Sequence, residues 1–187
     1  IFLYRLDGIG SEKGFYMLID DFSDKALVSR LTTRWRAVSD QVMGGLSEPS
    51  ISHAIIDGHT CMRIIGNVRL ENGGGFIQAS LDLAPSGQTF DASNFSGVRL
   101  MVYGNAEQYS VHLRTSDNVR PWQSYRIHFT AERKWETIQL PFKKFLPHRL
   151  DTPLATGRLR RAGLVAPLDL NLPRTHTHTH THTHTHT

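Results

Sequence analysis

Cysteine is nearly absent from this sequence: Cys61 is the single one among 187 residues. That excludes an internal disulfide framework and a cysteine-rich zinc site. Cys61 lies in the strand-like run TCMRIIG, which predicts a buried, inert thiol rather than a nucleophile. No run of about eighteen apolar residues occurs, so no span of a membrane is expected. Helical periodicity is also scarce, and only DKALVSRL, residues 24–31, reads as one short helix.

The motifs of catalysis are missing as well. ENGGGF, residues 71–76, is glycine-rich, but strands flank it on both sides. A phosphate loop needs a strand followed by a helix, so this stretch reads as a tight or bulged turn. Five histidines lie outside the C-terminal tail: His53, His59, His112, His128 and His148. None shows HxH, HxxxH or HExxH spacing, and each falls in a different strand or turn. Ser39–Asp40 has no GxSxG elbow around it, and Asp20 and Asp21 point to opposite faces of a strand. The expectation is a chain without metal, cofactor or catalytic residues. Basic residues outnumber acidic ones by 21 to 17, but they are scattered. The densest group, Arg158 to Arg161, reads as a solvated face, so nucleic acid is not an expected partner.

What is present is β structure. Nine strand-like runs occupy residues 16–22, 50–57, 60–68, 76–83, 97–104, 109–115, 123–130, 135–141 and 159–166. Most alternate: in FIQASLDL, Ile77, Ala79, Leu81 and Leu83 share one face, and Gln78, Ser80 and Asp82 the other. Turn signals such as DGHT, APSGQ and TSDN separate the runs. Nine short strands at this spacing predict an all-β fold, a jelly-roll sandwich of two antiparallel sheets. The in-facing positions give a candidate core of Trp35, Ile77, Leu81, Val98, Leu100, Val111, Ile127, Phe129 and Leu140. The domain is assigned to residues 16–166, with 1–15 as an N-terminal extension. Because residue 1 is Ile rather than Met, the natural start is expected upstream, and a removed signal or transit peptide stays open.

From Thr175 to Thr187 threonine and histidine alternate strictly. A CA dinucleotide repeat read in frame produces this pattern, a simpler origin than an evolved metal site. Residues 167–187 are therefore expected to form a disordered, functionally silent tail, because such a sequence buries too little apolar area to offset its ordering entropy.

Two stretches carry the specific chemistry. NVRPWQSYR, Asn118 to Arg126, sets Arg120, Trp122 and Tyr125 at a strand start. Such a cluster anchors a protein partner or stacks a sugar, and the plainer reading makes Trp122 a plug of the sandwich end. RWRAVSDQVMGGLSEPSIS, Arg34 to Ser52, reads as a structured loop. Asp40 would satisfy loop amides, Val42 and Met43 would close the core edge, and Gly44–Gly45 would supply backbone freedom. The same loop is an alternative ligand contact through Asp40, Met43 and Ser47.

Together, WRAVSDQVMGGLS (35–47), RPWQSYRIHF (120–129) and WETIQLPFKKF (135–145), preceded by LIDDFSD (18–24), resemble the complex I intermediate-associated protein 30 family. The resemblance runs from about Leu18 to Ala166. It rests on Trp35, Ser39, Asp40, Met43, Gly44, Gly45 and Ser47, then on Arg120, Pro121, Trp122, Ser124 and Tyr125. It implies a galactose-binding-like jelly roll. It also implies a non-enzymatic, chaperone-like assembly role, with subunits or assembly intermediates of NADH:ubiquinone oxidoreductase (respiratory complex I) as protein partners. The compartment would be the mitochondrion for a eukaryotic assembly factor and the cytoplasm for a bacterial one. Where the family continues to a closing strand after AGLVA, this chain runs into the repeat. The alternative function is a carbohydrate- or small-ligand-binding module, since jelly rolls of this type often bind sugars. An aromatic patch on a sheet face would favour the first reading, and a concave site holding Trp122 among polar groups the second.

Overall fold

The computed structural model describes residues 1–39, 41, 48–67 and 75–167. Twelve strands follow one another: β1 (Phe2–Gly10), β2 (Tyr16–Asp20), β3 (Arg36–Ser39), β4 (Glu48–Ile56), β5 (His59–Asn67), β6 (Phe76–Asp82), β7 (Phe95–Tyr103), β8 (Glu107–Thr115), β9 (Ser124–Ala131), β10 (Glu136–Pro141), β11 (Leu146–His148) and β12 (Leu159–Pro167). They form two antiparallel sheets. The first has the order β10-β7-β1-β5-β4, with β2 also paired to β1, and the second β11-β9-β8-β12-β6-β3. The predicted all-β sandwich is what forms, and among the described residues the complete helical elements are single 3-10 turns at Phe142–Lys144 and Thr156–Arg158.

Alternation makes the sandwich. Tyr109, Val111 and Leu113 of β8 face inward, as do Tyr125 and Phe129 of β9 and Ile77, Ala79 and Leu81 of β6. They meet Leu3 and Leu6 of β1, Leu100 and Val102 of β7, and Leu140 of β10. Each sheet puts one apolar face into a shared core, the arrangement that removes most apolar area from water. Eight of the nine expected core residues are buried; Ile127 is half-buried and packed on the core's rim. Cys61 is fully buried, and burial raises its thiol pKa, in keeping with an inert thiol. Between the sheets remains a cavity of about 40 Å³, lined by apolar side chains such as Leu6, Trp35, Leu100 and Leu113. It is too small and too apolar to serve as a ligand site.

Three strands do not appear among the nine runs. β3 and β11 are short edge strands with little alternation to read. β1 is the larger correction: Phe2–Gly10, assigned to an N-terminal extension, runs through the interior of the first sheet between β7 and β5. Its alternation is broken by register shifts between Leu3 and Arg5 and between Leu6 and Asp7. Such bulges interrupt the period-two signal that identifies a strand. The short helix expected over 24–31 does not form. The Asp24 carboxylate accepts the Ala26 amide at 2.8 Å, closing an Asx turn, and Leu27 takes a positive φ of 58°. The Leu27 carbonyl then accepts the Trp35 amide at 3.0 Å rather than an amide of a next helical turn.

Candidate functional site

The Arg120–Tyr125 stretch divides between surface and core. Trp122 is 48% exposed at the tip of the β8–β9 connection, with the Arg120 guanidinium 5.9 Å from its ring centroid. The loop beneath is held firmly. The Thr115 amide donates to buried Asn118 Oδ1 at 2.9 Å, and Arg114 donates to the carbonyls of Asn118 and Arg120. Gln123 accepts the Arg120 amide and donates to the Arg149 carbonyl. Trp122 therefore does not plug the sandwich end, and Pro121 beside it is also exposed. Tyr125 is different. It is 1% exposed, and its hydroxyl donates to the Thr152 and Pro153 carbonyls at 2.9 and 3.1 Å. As a first in-facing residue of β9 it clamps the segment leading to β12, so it cannot be the surface contact expected from sequence. Ser124 is buried and accepts from Arg126 Nε at 3.0 Å.

The other motif is structural where it is described. Trp35 is 3% exposed, and its Nε1 donates to Asp20 Oδ2 at 2.8 Å. Asp20 also accepts the Phe22 amide; burial raises its pKa against the pull of these bonds. Buried Ser39 accepts the Gln41 amide at 3.2 Å. Asp40, Met43, Gly44, Gly45 and Ser47 lie outside the described residues, as does most of the ENGGG turn. Register separates the two motifs. Ser39 ends β3 opposite Ile77, near the start of β6, whereas Ser124 begins β9 at the other end of the second sheet. By strand rise and spacing they stand roughly 25 Å apart, too far to share a small ligand.

Two sheet faces carry side chains that the motifs did not reveal. On the outer face of the first sheet, Phe2 and Tyr4 of β1, Tyr103 of β7, His59 of β5 and Trp135 beside β10 form one aromatic cluster. Tyr4 stacks on His59 at 4.2 Å, and Trp135 meets Tyr4, His59 and Tyr103 edge-on at 4.8, 5.5 and 5.6 Å. Phe2 lies 6.0 Å from Tyr103, with the Arg63 guanidinium 5.8 Å above it. Pairing builds the cluster: Phe2 is the direct partner of both Tyr103 and Arg63. Trp135 Nε1 is buried there without a hydrogen-bond partner. Farther along the same face, fully buried Asp7 accepts from Arg5 and Arg99, and Arg99 lies 3.6 Å over the Tyr16 ring. An outer sheet face is ordinarily polar, and here aromatic residues collect on it instead.

The outer face of the second sheet is polar and basic. Arg36, Ser80, Gly163, His112 and Arg126 are successive partners across it. Gln78, Val165, Ser110 and His128 form the neighbouring row. Asp82 joins Arg161 at 2.8 Å and Arg36 at 3.2 Å. Gly163 leaves room here: a Cβ would stand 2.0 Å from Gln78 Nε2, so the missing side chain lets the glutamine amide lie across the sheet. His112 Nε2 is 2.9 Å from Ser110 Oγ. Burial first, and then the positive charges of Arg126, His128 and His148, hold its pKa well below the usual imidazole value, which keeps it neutral. The Ser110–His112 pair has the reach of a nucleophile and base, but Ser110 is fully buried and no substrate carbonyl can approach it. Among the described residues no group of three histidine, cysteine, aspartate or glutamate side chains is placed to hold a metal ion, and no helix is long and apolar enough to cross a membrane.

Architecture and surface together define a β-sandwich of the galactose-binding-like type, with its distinctive residues on two sheet faces and one hairpin tip. The sequence model of the Complex I intermediate-associated protein 30 (CIA30) family matches residues 21–166, and the chain belongs to that family. No curated protein matches the sequence. Among solved structures, the fold is similar to a family 11 carbohydrate-binding module from Clostridium thermocellum in complex with a β-1,3-1,4-mixed-linked tetrasaccharide. The two share 17% identity at a TM-score of 0.58, over 78% of this chain and 82% of that one. A family 11 module of the cellulosomal cellulase Lic26A-Cel5E of Clostridium thermocellum also aligns, with 17% identity, a TM-score of 0.53, and 70% and 76% of the two chains covered. At such identity the likeness is one of fold.

Proposed function

We propose that this chain is a non-catalytic protein-binding domain that acts in respiratory complex I assembly, docking on a subunit or assembly intermediate through the aromatic face of its first sheet. One observation carries the reading: Phe2, Tyr4, His59, Tyr103 and Trp135 converge at outward positions of a sheet whose inward positions already fill the core. Aromatic side chains anchor protein interfaces because they bury large area with few rotamers lost. Membership of the CIA30 family supplies the partner class. The Arg120–Trp122 tip is a second contact on this reading. A eukaryotic source would place the protein in the mitochondrion, and a bacterial source in the cytoplasm. The test is affinity capture from the native source with the wild type, the Tyr4→Ala/Trp135→Ala double variant and Trp122→Ala, each first shown to be folded by circular dichroism. Loss of complex I subunits with the double variant is expected. Undiminished capture by a folded double variant would remove the aromatic face from the proposal.

A second reading is a carbohydrate-binding module. It is favoured by the polar outer face of the second sheet, where the Gln78 amide lies across Gly163 beside the half-buried His112. Calorimetric titration with a mixed-linked tetrasaccharide tests it, and absence of heat at millimolar ligand counts against it.

A further inference from the structure

We propose that the outer face of the second sheet takes an acidic oligosaccharide, a chain of sugar units bearing carboxylates, laid across the strands from β3 to β9. The inference rests on the carbohydrate reading of that face and specifies its ligand.

Charge is the first argument. Four guanidiniums, those of Arg36, Arg161, Arg114 and Arg126, stand at outward register positions of β3, β12, β8 and β9. Among the described residues, Asp82 is the one carboxylate at such a position, and it is shared between Arg36 and Arg161. The cations also crowd each other: burial, and then the charges of Arg161 and Arg160, press on Arg114 and lower its pKa. An anion laid on the face relieves that repulsion and gains charge-assisted hydrogen bonds.

Polar but uncharged groups are the second argument. Between the arginines lie the Gln78 amide and the half-buried, neutral His112, while the Ser80 and Ser110 hydroxyls are covered. Neutral donors and acceptors interleaved with guanidiniums suit a ligand whose hydroxyls alternate with its charges. A bare anion would use only the arginines. A single nucleic-acid strand would call for aromatic platforms on which bases stack, and the row from Arg36 to Arg126 contains none. The strip from β3 to β9 crosses four strand intervals, about 19 Å, which accommodates several sugar units. Gly163 fits the scheme, because any side chain there would stand in the middle of the strip.

The experiment is calorimetric titration of the full chain with three probes: tetragalacturonate, the neutral mixed-linked tetrasaccharide, and a short oligothymidylate. Tetragalacturonate is expected to bind, to weaken as salt rises, and to bind about tenfold less tightly to Arg126→Gln. Arg36→Gln, at an exposed edge, carries the same comparison if Arg126→Gln does not fold. Equal binding of the neutral and acidic sugars overturns the acidic specificity while the carbohydrate reading survives. Binding of neither sugar overturns both. Tighter binding of oligothymidylate replaces the sugar acid with a nucleic acid. Salt-independent binding, or affinity unchanged in a folded arginine variant, removes the ligand from this face.

Discussion

Asp7→Ala tests whether the first ten residues belong to the cooperative unit. Asp7 is fully buried on β1, and its carboxylate accepts from Arg5 Nε at 3.1 Å and from Arg99 Nε and Nη2 at 3.0 and 2.8 Å. Asp7 and Arg99 are direct cross-strand partners, so the bridge ties β1 to β7. Removing one partner from a fully buried ion pair costs about 3–5 kcal/mol, because the remaining charge is left uncompensated. Here the two arginine side chains keep 39% and 18% of their exposure and can regain water. The cost therefore falls at the low end, about 3 kcal/mol. For a chain of this size that corresponds to about 6–12 °C in the melting midpoint. Urea denaturation followed by far-ultraviolet circular dichroism measures it, with the slope of the transition checked for constancy. A loss below about 0.5 kcal/mol, the range of ordinary surface substitutions, would show that β1 is dispensable and that the Asp7 bridge contributes little.

Leu100→Ala, at a 2% exposed position on β7, should cost about 2–5 kcal/mol in the same urea assay, and no loss would contradict the inward register of that strand. Tyr125→Phe removes a buried hydroxyl from the Thr152 and Pro153 carbonyls and should lower stability by about 1–3 kcal/mol without changing partner capture; impaired capture by a stably folded variant would restore Tyr125 as a contact residue. His112 predicts a pH effect. Its folded-state pKa lies below the unfolded value of about 6.5, so between the two the unfolded chain binds more protons. The stability linked to neutral His112 is thus fully present above about pH 6.5 and is lost as pH falls toward the folded-state pKa. His112→Gln should flatten the melting temperature between pH 7.5 and 5.5; parallel slopes for the two proteins would refute the assignment.

Function was legible in part. Arg120 and Trp122 could be singled out because an exposed aromatic beside an arginine in a turn is visible in one short stretch. Tyr125, three residues on, looked like the same cluster, yet strand alternation turns it inward. Gln123, by contrast, uses its side chain to brace the loop. The aromatic face was not legible, because its members come from residues 2, 4, 59, 103 and 135 and are neighbours only through strand pairing. The alternation of Phe2 and Leu3 was a usable signal, but the bulges that follow obscured it.

By itself the sequence determined the fold class, the nine readable strands and most of the core. All of these follow from period-two alternation and from turn chemistry, which are local. Family membership was equally local, resting on ordered motifs. Only the tertiary structure decided the strand order, which brings β1 into the middle of a sheet and sets the two motifs at opposite ends of another. Sheet order depends on hydrogen bonds between residues as distant as Phe2 and Tyr103, and such pairings leave no mark within any single strand. The same holds for the polar strip, where Gly163, Gln78 and His112 acquire meaning from their neighbours across the ladder. A binding face is a property of adjacent strands, and adjacency is decided only when the whole chain packs.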